Sequence, residues 1–307
     1  MTVRDTVTRA TGGPDAAALI GNAATRLREA GSESPRLDAE LLVGHAFGRD
    51  RAWLHAHPDA SLSSSDAATL AGWVDRRVAG EPIAYIRGFK EWFSLRIATD
   101  SRALIPRPET ELLASAAIGE ISARLVRDNE PIRAWEVGTG SGAVMLAVAL
   151  RFGAAAALSR VHLAASDISA EALELAEENL AAHGAAGHVT LACGDLLDPP
   201  ALPGGSVDLL LANLPYLTSD EAAAGVGSLA WEPRGALDGG RDGLDLLRRL
   251  VAHLPDRLAT GGVALLEIGA GQAAAVREIV AELPIRVAVT VLHDLAGIER
   301  VVRVERR

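Results

Sequence analysis

The 307-residue chain has a single cysteine, Cys193, and a single lysine, Lys90. One thiol excludes an intramolecular disulfide framework, and a reducing, cytoplasmic compartment is the simplest expectation. The other basic residues are all arginine, a bias that reflects genome composition rather than function. Long apolar runs are missing too. The most hydrophobic stretches, 143–150 and 262–266, are stopped by Arg151 and Glu267. Both fall well short of the ~18 residues a membrane helix needs. Residues 1–30 carry Arg4, Asp5, Arg9, Asp15, Arg26 and Arg28, with no basic start leading into an apolar core, so no signal peptide is expected. A basic excess is also lacking. The net charge is −10, and it is uneven: residues 1–90 hold 11 basic and 11 acidic residues, so the remainder carries the whole imbalance. Long-range attraction to a nucleic acid is not expected of such a chain, and neutral or basic protein partners fit better.

What is present is globular. Hydrophobic residues make up 49% and charged residues 23%, which excludes wholesale disorder. The length suggests two domains. Residues 16–80 are rich in alanine and leucine, with apolar residues at helical spacing in Leu37, Leu41, Leu42 and Ala46. Asp38 and Glu40 near the start of that run favour the helix dipole. We therefore assign 1–80 to a helical domain. Residues 81–107 are punctuated by Gly80, Pro82, Gly88 and Pro106, and Ile83, Tyr85, Ile86, Trp92, Phe93 and Leu95 give them strand-like character, so a hairpin or linker is expected there. A helix over 109–123 follows, with acids in its first turn.

From residue 132 the pattern alternates. Strands are expected at 133–137, 161–166, 188–193, 207–212, 262–268, 286–292 and 300–304, and helices at 143–152, 170–183, 242–259 and 270–283. This alternation predicts an α/β domain over 108–307 with a parallel, doubly wound sheet. Alanine clusters at 154–157 and 222–224 are the nearest approach to low complexity. Ligands of such sheets bind at the carboxyl ends of the strands, so the residues that follow strands are the informative ones.

After the first of these strands comes Glu136-Val137-Gly138-Thr139-Gly140-Ser141-Gly142. Glycines let a backbone turn tightly and approach a ligand. The spacing differs from the Gly-x-Gly-x-x-Gly dinucleotide fingerprint. Glu136 repels a pyrophosphate but suits a cationic ligand such as S-adenosylmethionine, which carries a sulfonium and an ammonium. Asp167 ends the second strand, where a carboxylate takes ribose hydroxyls or caps the next helix. Asp195 and Leu196 follow the third strand, where they reach an adenine or simply form a turn.

The fourth strand runs into Asn213-Leu214-Pro215-Tyr216. A plain Asn-x-Pro turn is one reading. The other is chemical. The side-chain oxygen of Asn213 accepts one hydrogen of a planar NH₂ group, and the Leu214 carbonyl accepts the second. Pro215 stiffens the turn and Tyr216 packs on the planar group. Those bonds strengthen as the nitrogen attacks a methyl carbon. Of the eight histidines, His55 and His57 alternate, but no ligand set forms around them, so no metal is expected. Cys193 is expected to be buried and inert. Residues 231–234, in the long 214–241 connection, are candidates for a cleft rim.

With these motifs the chain resembles the release factor glutamine methyltransferases of the HemK/PrmC type over nearly its whole length. The segments that carry the resemblance are Asp38-Ala39-Glu40-Leu41-Leu42, Gly80-Glu81-Pro82-Ile83-Ala84-Tyr85-Ile86, Leu104-Ile105-Pro106-Arg107-Pro108-Glu109-Thr110-Glu111, 136–142, 213–216 and 232–240. The tetrapeptide alone is shared with nucleic-acid methyltransferases; the 104–111 and 232–240 segments are far more specific. The resemblance implies a helical domain joined by a β-hairpin to a Rossmann-like, S-adenosylmethionine-dependent domain of class I. It implies methylation of the glutamine amide in the Gly-Gly-Gln motif of peptide chain release factors. A cytoplasmic, monomeric enzyme is expected. Gly138 to Gly142, Asp167, Asn213 and Asp195 or Leu196 would contact the cofactor; Asn213 to Tyr216 would hold the glutamine, with Arg107 nearby. The family usually has two prolines after the asparagine, and Leu214 replaces the first. The alternatives are a nucleic-acid amino-group methyltransferase, a non-catalytic scaffold and, more remotely, a nicotinamide oxidoreductase.

Overall fold

A computed structural model of the protein describes residues 14–127, 129–153, 160–198 and 205–307. Residues 1–13, at the start of the expected helical domain, and the 154–157 alanine cluster lie outside these. The chain forms two compact units, one ending at Gly88 and one beginning at Phe89.

The first unit is helical: α1 (Ala16–Glu29), α2 (Pro35–Phe47), α3 (Arg51–Ala56), α4 (Ser64–Val78) and α5 (Ile83–Arg87). Asp15, Asp50 and Ser63 cap the starts of α1, α3 and α4 with side-chain oxygens. Leu27, Leu42, Leu54 and Leu70 meet in the core. Of the two acids expected to serve the dipole of α2, only Asp38 lies in its first turn. Glu40 is buried and pairs with Arg36 at 2.6 Å and Arg51 at 2.7 Å. The strand-like reading of Ile83, Tyr85 and Ile86 is overturned. Pro82 sits at the N-cap and Gly88 closes the C-cap at φ 74°, so these residues form α5.

The second unit opens with a hairpin, β1 (Phe89–Trp92) and β2 (Leu95–Ala98). Its two-residue turn puts Phe93 and Ser94 at positive φ, and the Phe93 N–H donates to Glu111 at 2.8 Å. Helix α6 (Glu111–Arg127) follows a single 3₁₀ turn. A seven-stranded, mostly parallel sheet then forms from β3 (Ile132–Val137), β4 (Val161–Asp167), β5 (Val189–Cys193), β6 (Val207–Ala212), β7 (Leu258–Glu267), β8 (Val287–His293) and β9 (Glu299–Arg306). The order is β5-β4-β3-β6-β7-β9-β8. Helices α7 (Ala143–Phe152), α8 (Ala170–Ala182), α9 (Ser219–Ala224), α10 (Asp245–Ala252), α11 (Leu254–Arg257) and α12 (Ala273–Ala281) connect the strands. This is the Rossmann-like architecture expected of 108–307.

Strand period divides the core. Leu209 and Leu211 pack with Met145 and Ile121 on one face, while Leu210 and Ala212 pack with Leu250 and Val276 on the other. Each such buried leucine contributes about 1.5–3 kcal/mol.

Three expectations are corrected. The sheet is not wholly parallel: β9 runs antiparallel to both β7 and β8. The turn between β8 and β9, held by Asp294, is far shorter than the dozen residues a parallel crossover needs. The helix expected over 242–259 breaks at His253, because Pro255 removes a donor and clashes with the preceding turn. Its last residues open β7 instead. Cys193, the last residue of the edge strand β5, is exposed. Among the described residues no helix is long and apolar enough to cross a membrane.

Candidate active site

Strand register brings the candidate residues together. Val137, Ser166 and Ala212 are neighbours across β4, β3 and β6, and Ala212 pairs with Leu266 of β7. One residue further along lie Gly138, Asp167, Asn213 and Glu267, all at the carboxyl edge. The chain leaves β3 in one direction through β4 and β5 and returns to β6 on the other side, so this edge is the switch point of the sheet.

A cleft of about 510 Å³ opens there. Its wall includes Arg107, Glu136, Gly138, Thr139, Gly140 and Ser141, and also Asp167, Asp195, Leu196, Asn213, Leu214 and Pro215. Gly142 and Tyr216 do not line it. Gly142 instead starts α7 at φ 77°, and a Cβ there would lie 2.9 Å from the Ala176 Cβ. Helices α7 and α8 approach this closely only because position 142 has no side chain. Gly142→Ala combines left-handed strain with overpacking and is expected to cost about 2–4 kcal/mol of stability, read by urea unfolding. A loss under about 0.5 kcal/mol would show that the two helices part freely.

The loop is held from below. The Gly138 and Thr139 N–H groups donate to the Ser166 carbonyl. The Gly140 N–H donates to Asp167 Oδ2 and the Ser169 N–H to Asp167 Oδ1, each at 2.9 Å. The helix cap considered for Asp167 falls to Ser169, whose hydroxyl accepts from Ala172. Asp167 faces the cleft with lone pairs to spare on both oxygens. Glu136 is buried and accepts from the Thr139 hydroxyl at 2.7 Å. Burial pushes its carboxyl up to about 8, with the charge of Asp167 adding to the shift, against the Thr139 and Met145 hydrogen bonds. Buried Asn179 of α8 ties the Ser141 carbonyl to Ala98 of the hairpin.

On the opposite wall Arg107 pairs with Glu232 at 2.6 Å, and the other Glu232 oxygen accepts the Ile105 N–H at 3.0 Å. Trp92 donates to the Arg107 carbonyl at 2.7 Å. The 214–241 connection is therefore pinned to the 105–107 segment, with Pro233, Gly235 and Ala236 on the cleft wall. Trp231 is exposed. Leu214 is buried, and it is the nearest neighbour of a Cβ built on Gly138, at 3.0 Å. Asp195 does not stand free: Arg249 pairs with it at 2.6 Å. Among the described residues no group of three or more His, Cys, Asp or Glu is placed to hold a metal ion.

Comparison with known proteins follows the same line. A family model for the PrmC N-terminal domain matches residues 18–88, and one for a methyltransferase domain matches residues 134–230. A release factor glutamine methyltransferase of Bordetella pertussis is 38% identical over 268 residues, covering 87% of this chain and 93% of its own. Its namesake in Xylella fastidiosa is 37% identical, covering 94% and 97%. The chain belongs to the release factor glutamine methyltransferase family. The solved hMettl16 catalytic domain, in complex with a 3'UTR hairpin, superposes with a TM-score of 0.51 at 14% identity over 78% of this chain and 81% of that one, a likeness of fold alone.

Several residues at the site carry little or no signal in the sequence. Glu267 ends an apolar run in the sequence, and its signal is the one Glu136 also carries, a carboxylate at the carboxyl end of a buried strand. Thr110 sat unremarked inside the 104–111 segment. Arg249, on a helix with ordinary patterning, carried no local signal.

Proposed function

We propose that the protein methylates the side-chain amide nitrogen of the glutamine in the Gly-Gly-Gln motif of peptide chain release factors, with S-adenosylmethionine as donor. The observation that carries this reading is the delivery of Asn213 and Leu214 by β6 into the same cleft as the glycine loop and Asp167. The cleft suits the donor: Asp167 offers a carboxylate to a ligand with two cationic groups and keeps acceptor capacity for ribose hydroxyls, the buried Glu136 carboxyl gains its charge as a cation arrives, and Leu196 with Ile168 offers apolar surface to a purine. S-adenosylmethionine, when bound, supplies the methyl group from its sulfonium.

The chain's own task is to present a poor nucleophile. An amide lone pair is delocalised into the carbonyl. The Asn213 oxygen and the Leu214 carbonyl would accept its two hydrogens and hold the NH₂ flat toward the donor. Both bonds would tighten as the amide nitrogen gives up its lone pair and its hydrogens become more acidic. One proton then leaves to solvent. The apolar wall of Leu214 and Pro215 keeps water away from the electrophile. Leucine supplies the same carbonyl acceptor that proline does at position 214.

The direct test mixes the purified protein, S-adenosylmethionine and an unmethylated bacterial release factor and maps the product by peptide mass spectrometry. One added methyl on the motif glutamine is the expected result. Cofactor binding with no methyl on the release factor would overturn the substrate, and methylation of bare DNA or RNA would replace it.

A further inference from the structure

We infer that Thr110 is a positioning residue that selects the orientation of the Asn213 amide, with Glu267 setting the direction of the Thr110 hydroxyl. The chemical meaning of this arrangement rests on the methyl-transfer reading above. Thr110 Oγ1 donates to Glu267 Oε1 at 3.0 Å, and Asn213 Nδ2 donates to Thr110 Oγ1 at 3.1 Å. Thr110 and Glu267 are both buried, at 6% and 3% exposure. The three residues come from distant parts of the chain: the turn before α6, the end of β7 and the end of β6.

A hydroxyl has one proton. An ionised carboxylate only accepts, so that proton belongs to Glu267. The hydroxyl then turns a lone pair toward Asn213, and only the NH₂ end of the amide satisfies it. The Asn213 oxygen is thereby directed away from Thr110, free to accept from a substrate amide. A half-turn of the Asn213 amide would set two acceptors against each other in a buried setting, which is costly. Without the hydroxyl, the two orientations become close in energy, and one of them points an NH₂ at the substrate's NH₂.

The device is sensitive to the charge of Glu267. Burial pushes its carboxyl up to about 7; Glu109 adds to the shift and Arg300 opposes it, as does the Thr110 hydrogen bond. Tyr216 also faces it. The second Glu267 oxygen is buried with no hydrogen-bond partner among the described residues. A protonated Glu267 can donate to Thr110, freeing the hydroxyl to donate to the Asn213 oxygen and admit the wrong orientation. The amide is held firmly above about pH 7 and loosely below it.

The test compares Thr110→Val, which keeps the shape, with Thr110→Ser, which keeps the hydroxyl. Thr110→Val is expected to lower kcat for release factor methylation about 10- to 100-fold, with KM for S-adenosylmethionine within about twofold, and Thr110→Ser is expected to restore most of it. The wild-type kcat is expected to rise through about pH 7, and Glu267→Gln to lack that limb. A second readout is independent of substrate. The chain has four asparagines, so selective ¹⁵N labelling resolves the Asn213 side-chain amide. Its resonances are expected to follow Glu267 ionisation in the wild type but not in Thr110→Val. Equal kcat in Thr110→Val and the wild type, or Thr110→Ser as impaired as Thr110→Val, would overturn the inference. If the wild type leaves the release factor unmethylated, the substrate reading fails on its own and the resonances decide: movement with Glu267 supports the positioning role, and none removes it.

Discussion

Asn213→Ala lowers methyl transfer to a release factor by about 10²- to 10³-fold, the usual cost of deleting a hydrogen bond that strengthens in a transition state. That loss corresponds to about 2.7–4 kcal/mol of barrier. The Asn213 side chain is only partly buried and Thr110 is its one hydrogen-bond partner among the described residues, so truncation leaves the sheet intact. Asn213→Asp separates the two functions of this side chain. It keeps an acceptor for the substrate but sets a carboxylate against the Thr110 lone pair, and its rate is expected to fall between those of the wild type and Asn213→Ala. Single-turnover methylation at saturating cofactor reads both. A wild-type rate in Asn213→Ala would remove this residue from the chemistry and leave the Leu214 carbonyl as the only orienting group.

Gly243→Ala is expected to be nearly as damaging, although position 243 touches no substrate. Gly243 sits at φ 75°, and a Cβ there would overlap the Tyr216 carbonyl oxygen and lie 2.9 Å from Gln272 Nε2. Gln272 donates to that same carbonyl at 3.1 Å. An added methyl must push the Tyr216 backbone away, and displacement of a reacting group by about 1 Å costs ~10²-fold in rate. The comparison is Gly297→Ala, in the turn between β8 and β9. Its φ is 78°, but nothing lies within 4 Å of the added Cβ. That variant carries only the left-handed penalty of about 1–2 kcal/mol and keeps full activity. Thermal melts and methylation rates measured side by side separate strain from crowding. Equal activity in the two variants would show that the tetrapeptide accommodates the displacement.

The parts of this protein legible in its sequence are those governed by local rules. The fourth strand is legible to its ends at 207 and 212 because the unbroken apolar run from Leu209 to Ala212 suits only a strand buried on both faces. The glycine loop and Asn213 announced themselves by position after a strand. Strand direction in the last hairpin was harder, because 300–304 has the same composition as a parallel strand and only the short turn before it decides. Ile83–Arg87 carries strand-forming residues, and its two caps outweigh them. Partnerships were the least readable. Arg107 and Glu232 are 125 residues apart, and Thr110 and Glu267 are 157 apart. Nothing in either neighbourhood marks the other; only the completed fold brings them together. Asp195 shows the converse: its position after a strand was plain, but its engagement with Arg249 was not.

Glu232 has a kinetic consequence. Its carboxylate is fully buried and holds both the Ile105 amide and the Arg107 guanidinium, so one long connection and the opposite wall are joined before any partner arrives. The chain entropy of that connection is lost during folding and is not lost again on association. A glutamine-bearing loop thus meets a wall that is already ordered, and less of the ordering on complex formation falls on this chain.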